Sequence, residues 1–489
     1  MDQKKLRDVI ARAWADDVIP SLSGLVAIPA LSPSFDSSWA AAGYLGAAVD
    51  HVASWVEARD RTVPCEVVEL EGRPPLLLVD VPASAGTAAQ GTVLIYGHLD
   101  KQPALGDWSA GLGPWRPVLR DGRLYGRGAA DDGYAGYAAV TALEAVRAAG
   151  GEHSRAVVLL ETAEESGSPD LPAYLEHLAG RLGDVDLVIC LDSGGGTDYK
   201  RLWLTSSLRG MVTATVTVRV LEAGVHSGIA GGIAPSSFRV MRQLLDRLED
   251  PLTGEVRLPE MNVPVPASRQ AEAAAFAALE PGAVGRGIPF VAGMSAAAED
   301  PVELILNNTW RPSLSVTGGD GLPESALAPA VLRPATSLRL SFRTPPTANA
   351  AAARSALVKA VTTDVPYGAQ VEVRDFVTLD GWSAPAPSPW LAATLDGLTG
   401  LVFSEPYRQL GIGGGIPFME MLGHRYPGAD FVVTGALGAD SNMHVPDEWL
   451  NIEYAEQVTA AVAWILDAHA RQPRRATGPD RRTPPGRGV

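Results

Sequence analysis

The chain has 489 residues, 46% of them hydrophobic and 20% charged, more than one hydrophobic core usually serves, so two domains are expected. Its formal net charge of −16 argues against nucleic acid as a partner, because phosphate binding needs a basic surface. Two cysteines, Cys65 and Cys190, cannot build a disulfide framework and suit a reducing cytoplasm. The opening Met1-Asp2-Gln3-Lys4-Lys5-Leu6 lacks the apolar core of a signal peptide, and no uninterrupted apolar run approaches the length of a membrane span.

Residues 4–28 carry apolar groups at helical spacing and stop near Pro29, and 40–59 read as a second helix through Val49, Val52 and Val56. Strand-like runs follow at 67–70 and 76–81, then a loop rich in Ala, Gly and Thr at 82–90. The runs at 92–96, 156–160, 187–191 and 431–434 are nearly continuous apolar stretches, the pattern of strands buried on both faces. Between the first two lies an Ala-rich helix at 134–149, ended by Gly150-Gly151. This strand–helix–strand alternation predicts an α/β domain with a mixed, mostly parallel sheet covered by helices.

Beyond residue 205 the pattern changes. Residues 211–220, 337–342 and 370–376 alternate as half-exposed strands, and 235–250 is amphipathic through Phe238, Met241, Leu244, Leu245 and Leu248. Residues 260–300 read as helix and loop. The expected organisation is a discontinuous catalytic domain, 1–206 plus 385–472, interrupted by an α+β domain at 207–384, with the Pro-rich run 383–389 as return linker. A terminal helix spans 453–470, and the polar, proline-rich tail 473–489 is predicted to be disordered.

Three of the four apolar strands end in groups able to bind a metal: His98 and Asp100, then Glu161 and Glu164-Glu165, then Asp192. Ligands of open α/β sheets bind at the carboxyl ends of strands. Asp131, in Tyr125-Gly126-Arg127-Gly128-Ala129-Ala130-Asp131-Asp132, and His444, in Ser441-Asn442-Met443-His444-Val445-Pro446, complete the candidate set. Assembling so many acids is costly without a cation.

The blocks Gly97-His98-Leu99-Asp100, Gly126-Arg127-Gly128 through Asp131, Glu164-Glu165, Asp192 and His444 resemble, in order and spacing, the M20 family of metallopeptidases. That family includes carnosinase-like dipeptidases, glutamate carboxypeptidases, and acetylornithine and succinyl-diaminopimelate deacylases. The resemblance spans about residues 5–470. It implies two divalent ions, zinc first, with manganese or cobalt compatible with the same ligand types. His98 and Asp192 would bind one, Glu165 and His444 the other, and Asp131 would bridge. Asp100 would orient His98, and Glu164 would act as general base on the shared water and then as acid toward the leaving amine.

The resemblance further implies that the inserted domain is a ferredoxin-like lid through which a homodimer forms. His226, in Gly224-Val225-His226-Ser227-Gly228, would reach the partner subunit's site and stabilise the oxyanion. Arg343, in Leu340-Ser341-Phe342-Arg343-Thr344-Pro345, would hold the substrate carboxylate, and Gly414 and Gly415 would let backbone approach the substrate. Two departures bear on specificity. Gly133-Tyr134 stands where many relatives carry Lys two positions after the bridging Asp. Gly411-Ile412-Gly413-Gly414-Gly415-Ile416-Pro417 replaces the carnosinase-like Arg-Glu-Gly-Gly-Ser-Ile-Pro.

The expected activity is hydrolysis of an amide next to a free carboxylate, as an exopeptidase or dipeptidase. The alternative within the same chemistry is an N-acyl amino acid deacylase. A catalytically silent binding protein on the same fold is the alternative of another class, and there the water-activating glutamate is often lost; Glu164 is present here.

Overall fold

In the computed structural model, which describes residues 1–84, 91–196, 198–280, 282–285, 288–438 and 440–472, the four apolar runs become neighbouring parallel strands. Their order is Ala156–Glu161, Thr92–His98, Val185–Cys190 and Asp430–Val433. Leu76–Val81 and then Cys65–Val68 extend the Ala156–Glu161 edge in antiparallel fashion, giving a mixed six-stranded sheet. Every residue of Thr92–His98 and Ala156–Glu161 is buried, which is why neither alternates in polarity.

The Ala-rich helix Ala135–Ala148 packs on Thr92–His98 and Ala156–Glu161, and Gln3–Ala13 and the terminal helix Ile452–Ala470 pack on it in turn. The helix predicted at 4–28 is a continuous helical run in which a wider turn, Trp14–Val18, joins Gln3–Ala13 to Ile19–Val26. Trp14 is buried there, and its indole N–H donates to Thr459 Oγ1 at 3.2 Å. These elements belong to one compact unit, Met1–Leu202, Ala386–Tyr407 and Gly428–Val489. The predicted loop at 82–90 falls partly outside the described residues, and the tail at 473–489 wholly outside them.

A second unit comprises Trp203–Pro385 and Arg408–Pro427. Its main sheet is antiparallel, in the order Ser313–Asp320, Ala335–Thr344, Gly210–Arg219, Gln370–Leu379. Helices Ser237–Leu245 and Ala350–Thr362 pack on this sheet. Strand–helix–strand–strand–helix–strand in this order is the ferredoxin-like arrangement. Ala335–Thr344 alternates strictly, burying Leu338, Leu340 and Phe342 against Val240, Met241, Leu244 and Leu357. Ser313–Asp320 carried no strand signal. It is Gly-rich and mostly exposed, so no apolar alternation marks it.

Residues 408–427 fall in the second unit, whereas the sequence pattern places them in the first. Arg408–Ile412 pairs in parallel with Trp203–Leu208, and the helix Ala267–Leu279 packs on it around Trp203 and Phe276. Among the described residues no helix is long and apolar enough to cross a membrane.

Candidate metal centre

The carboxyl ends of three parallel strands set the site. His98 is the last residue of Thr92–His98, and Glu164–Ser166 is a short turn after Ala156–Glu161. Asp192 follows Val185–Cys190, and Asp131 sits in the turn Ala129–Gly133 that leads into Ala135–Ala148. A Cβ on Gly97 would lie 2.6 Å from Ala135 Cβ and 2.7 Å from Asp132 Oδ2, so a glycine lets this turn approach the strand. Asp132 Oδ2 then accepts from the His98 backbone N–H at 3.3 Å. His444 reaches the same place from the loop beyond Asp430–Val433, with φ at +62°, a left-handed conformation rare for a residue with a side chain.

The two imidazoles flank one carboxylate. His98 Nε2 lies 3.2 Å from Asp131 Oδ1, and His444 Nε2 lies 2.8 Å from Asp131 Oδ2. Asp192 Oδ1 is 3.7 Å from His98 Nε2, and Glu165 Oε1 is 3.2 Å from His444 Nε2. His98 Nδ1 is 3.0 Å from the main-chain oxygen of Asp100 and 3.4 Å from its carboxylate. In the neutral ring, donation there would leave the Nε2 lone pair available to a metal ion. The Asp100 carboxylate accepts from the backbone N–H groups of Glu164 and Glu165 at 3.2 and 3.0 Å, tying two strand ends together.

Electrostatics shows what such a cluster lacks. Burial pushes Glu164 well above the usual carboxylate range, and the charges of Asp192 and Glu165 add to it. Burial does the same to Asp192 and Asp132, with Asp131 adding to both shifts. Burial opposes charge on His444, but Asp131 and Glu165 outweigh it and raise its pKa to about 10. A buried carboxylate oxygen, Asp132 Oδ1, has no hydrogen-bond partner. Without a cation, imidazoles and carboxylates this close are held together only by protons, and a divalent ion could take the place of those protons, so the donor set fits divalent metal. Within it, single donor atoms of His98, Asp132 and Asp192, and likewise of His98, Asp131 and Glu165, lie within 4.8 Å of one another.

The profile of peptidase family M20/M25/M40 matches residues 94–468. The chain belongs to this family. It is thereby a hydrolase of the metallopeptidase type. It is 27% identical over 423 residues to the cysteinylglycine-S-conjugate dipeptidase of Corynebacterium striatum, covering 85% of this chain and 89% of that one. The Cys-Gly metallodipeptidase of Saccharomyces cerevisiae is 30% identical over 260 residues, 52% of this chain and 53% of the relative, so this match spans about half of each. Among solved structures, the M20 metallo-carboxypeptidase Sso-CP2 of Sulfolobus solfataricus superimposes with a TM-score of 0.75 at 17% identity, over 93% of this chain and 99% of that one.

Seven predicted residues thus meet in the first unit of this M20 chain: His98, Asp100, Asp131, Glu164, Glu165, Asp192 and His444. The other four lie in the second. His226 pairs in a two-residue strand with Val331 and is exposed; its Nδ1 accepts from Gly228 N–H at 3.1 Å, which leaves Nε2–H as a donor in the neutral ring. Arg343 sits on Ala335–Thr344, between Met211 and Ser313. Its neighbour Arg209 donates to Gly413 O at 3.1 Å, and burial together with the Arg343 charge lowers the Arg209 pKa to about 10. Gly414 and Gly415 follow directly, and a Cβ on Gly415 would lie 3.0 Å from Arg209 O.

Sequence reasoning missed Asp132, whose position beside Asp131 was the available signal. It also missed Gln102, which donates to Glu165 Oε2 at 2.7 Å, and Glu448, which is wholly buried.

Proposed function

We propose that this chain is a two-metal dipeptidase that cleaves an amide next to a free carboxylate. The observation that carries the reading is the division of Asp131, one oxygen toward His98 and the other toward His444. A carboxylate so shared suits a bridge, with His98 and Asp192 on one ion and Glu165 and His444 on the other. Zinc matches nitrogen and carboxylate donors, as manganese and cobalt also do. Bound there, two such ions supply polarisation of the scissile carbonyl and acidification of a water.

The proton work falls to this chain's own side chains. Glu164 accepts the proton of the attacking water and delivers it to the leaving amine. Asp100 fixes the Glu164 and Glu165 backbone, so its role is orientation of both the base and His98. Arg343 pairs with the substrate carboxylate; its repulsion of buried Arg209 favours an anion near the two. His226 donates to the developing oxyanion of a partner subunit's site. Exposed Ile229 and Ile233 beside His226, at 71% and 85%, favour a second copy docking on the inserted domain, residues 207–384. Both cysteines are unpaired, which suits the cytoplasm.

Similarity to relatives named as dipeptidases supports dipeptides over N-acyl amino acids as substrates. The test is metal-reconstituted protein assayed on matched panels of dipeptides and N-acyl amino acids. Dipeptide turnover that a chelator abolishes and added zinc restores is expected. Dominant N-acyl turnover would instead make the chain a deacylase.

A further inference from the structure

Arg127 and Glu448 are both buried, at 1% and 0% exposure, and form an ion pair at 2.6 Å. A buried pair of this kind contributes little net stability, because desolvation offsets its attraction. Its hydrogen bonds are distributed in another way. Glu448 Oε1 accepts three backbone N–H groups, from Gly128 at 3.0 Å and from Ala130 and Asp131 at 3.3 Å. The Glu448 main-chain oxygen accepts a fourth, from Gly126 at 2.9 Å. Arg127 Nε donates to Pro103 O at 3.2 Å, and its far nitrogen donates to Val445 O at 3.1 Å.

Three segments therefore close on one ion pair: the stretch after His98, the turn holding Asp131, and the loop holding His444. The last needs holding. Asn442, His444 and Asp447 all have positive φ, at 55°, 62° and 64°. Residues with side chains keep that conformation only where the surroundings impose it. Arg127 grips this loop one residue after His444, and Glu448 ends it.

We propose that Arg127 and Glu448 are positioning residues that hold the Asp131 turn and the His444 loop in register, so that Asp131 and His444 can serve one ion. This rests on the two-metal reading above.

Co²⁺ titration of the apo-protein, followed by visible absorption, tests both separately. Wild type taking up two Co²⁺ per chain upholds the two-metal reading, and fewer than two overturns it and this inference with it. Glu448→Gln keeps the shape but loses the charge. It should bind one of the two ions 10- to 100-fold more weakly, with an altered spectrum, while circular dichroism stays that of wild type. Arg127→Lys keeps the charge but cannot reach Pro103 O and Val445 O together, and the same loss is expected. With the Zn²⁺ enzyme, kcat should fall in both variants while KM changes less than about threefold. Wild-type Co²⁺ affinity and spectrum in either folded variant would overturn the proposal. Failure of both to fold would overturn it too, since the pair would then be a folding element.

Discussion

Thr92–His98 buries all seven of its residues, while Ala335–Thr344 buries every second one. The first strand has a neighbour on each edge and helical cover, and His98 sits at its carboxyl end. The second turns one face to its helices and leaves Arg339 and Arg343 on the other, so its charged side chains are spread along its length. The candidate residues of the first unit gather at strand ends and the turns beside them. In the second, the candidate residues are single and scattered: exposed His226, half-buried Arg343 and the glycine turn. The difference teaches that one unit is built to hold charge and the other to present it.

Substitutions should separate these two kinds of site. Glu164→Ala should lower kcat by about 10³-fold while metal content, measured by elemental analysis, stays at the wild-type value. Retained turnover would remove Glu164 from the proton chemistry. His226→Ala should cost about 10²-fold in kcat. In mixed dimers carrying one Glu164→Ala subunit and one His226→Ala subunit, about half the sites should lose both groups and the other half keep both; loss of all activity would place His226 in its own subunit's site. Arg343→Lys should raise KM about tenfold for substrates with a free carboxylate and leave the corresponding amides unaffected. Equal effects on both would make Arg343 a structural residue.

The smallest effect lies on the terminal helix Ile452–Ala470. Burial and the neighbouring Glu453 raise the Glu456 pKa to about 7 from 4.5. A raised carboxylate pKa means the folded form binds the proton more tightly, so stability falls as pH rises from about 4.5 through 7. Glu456 is only half-buried, so solvent screening holds the effect to about 1 kcal/mol. Glu456→Gln should therefore raise Tm at pH 8 and leave it unchanged at pH 4, read by calorimetry.

The same contrast explains what the sequence made legible. The four parallel strands were readable because burial on both faces leaves continuous apolar runs, and the candidate ligands His98, Glu165 and Asp192 because they follow those runs by one to five residues. His98, Glu164-Glu165 and Asp192 needed only that adjacency. Glu448 was invisible for a physical reason. Its partners, Arg127 and the backbone of 128–131, lie more than 300 residues away in the chain, and no local pattern marks a buried acid satisfied by backbone N–H groups. Ser313–Asp320 was missed because an exposed Gly-containing edge has no periodicity, and Arg408–Ile412 because its pairing with Trp203–Leu208 bridges about 200 residues. Among the helices, Ala135–Ala148 and Ile452–Ala470 were legible, whereas Ala350–Thr362 and Pro417–Arg425 were missed and Trp14–Val18 widens without any signal in sequence.

The two imidazoles differ in one further respect. The His98 side chain is sealed at 0% exposure, and the His444 side chain is 43% exposed. One is a wall of the cluster and the other its door. Water-borne reagents such as diethylpyrocarbonate meet His444 first, and anything held against His98 leaves last. A site assembled this way would fill and empty in sequence, with a slow-exchanging inner half and a fast-exchanging outer one.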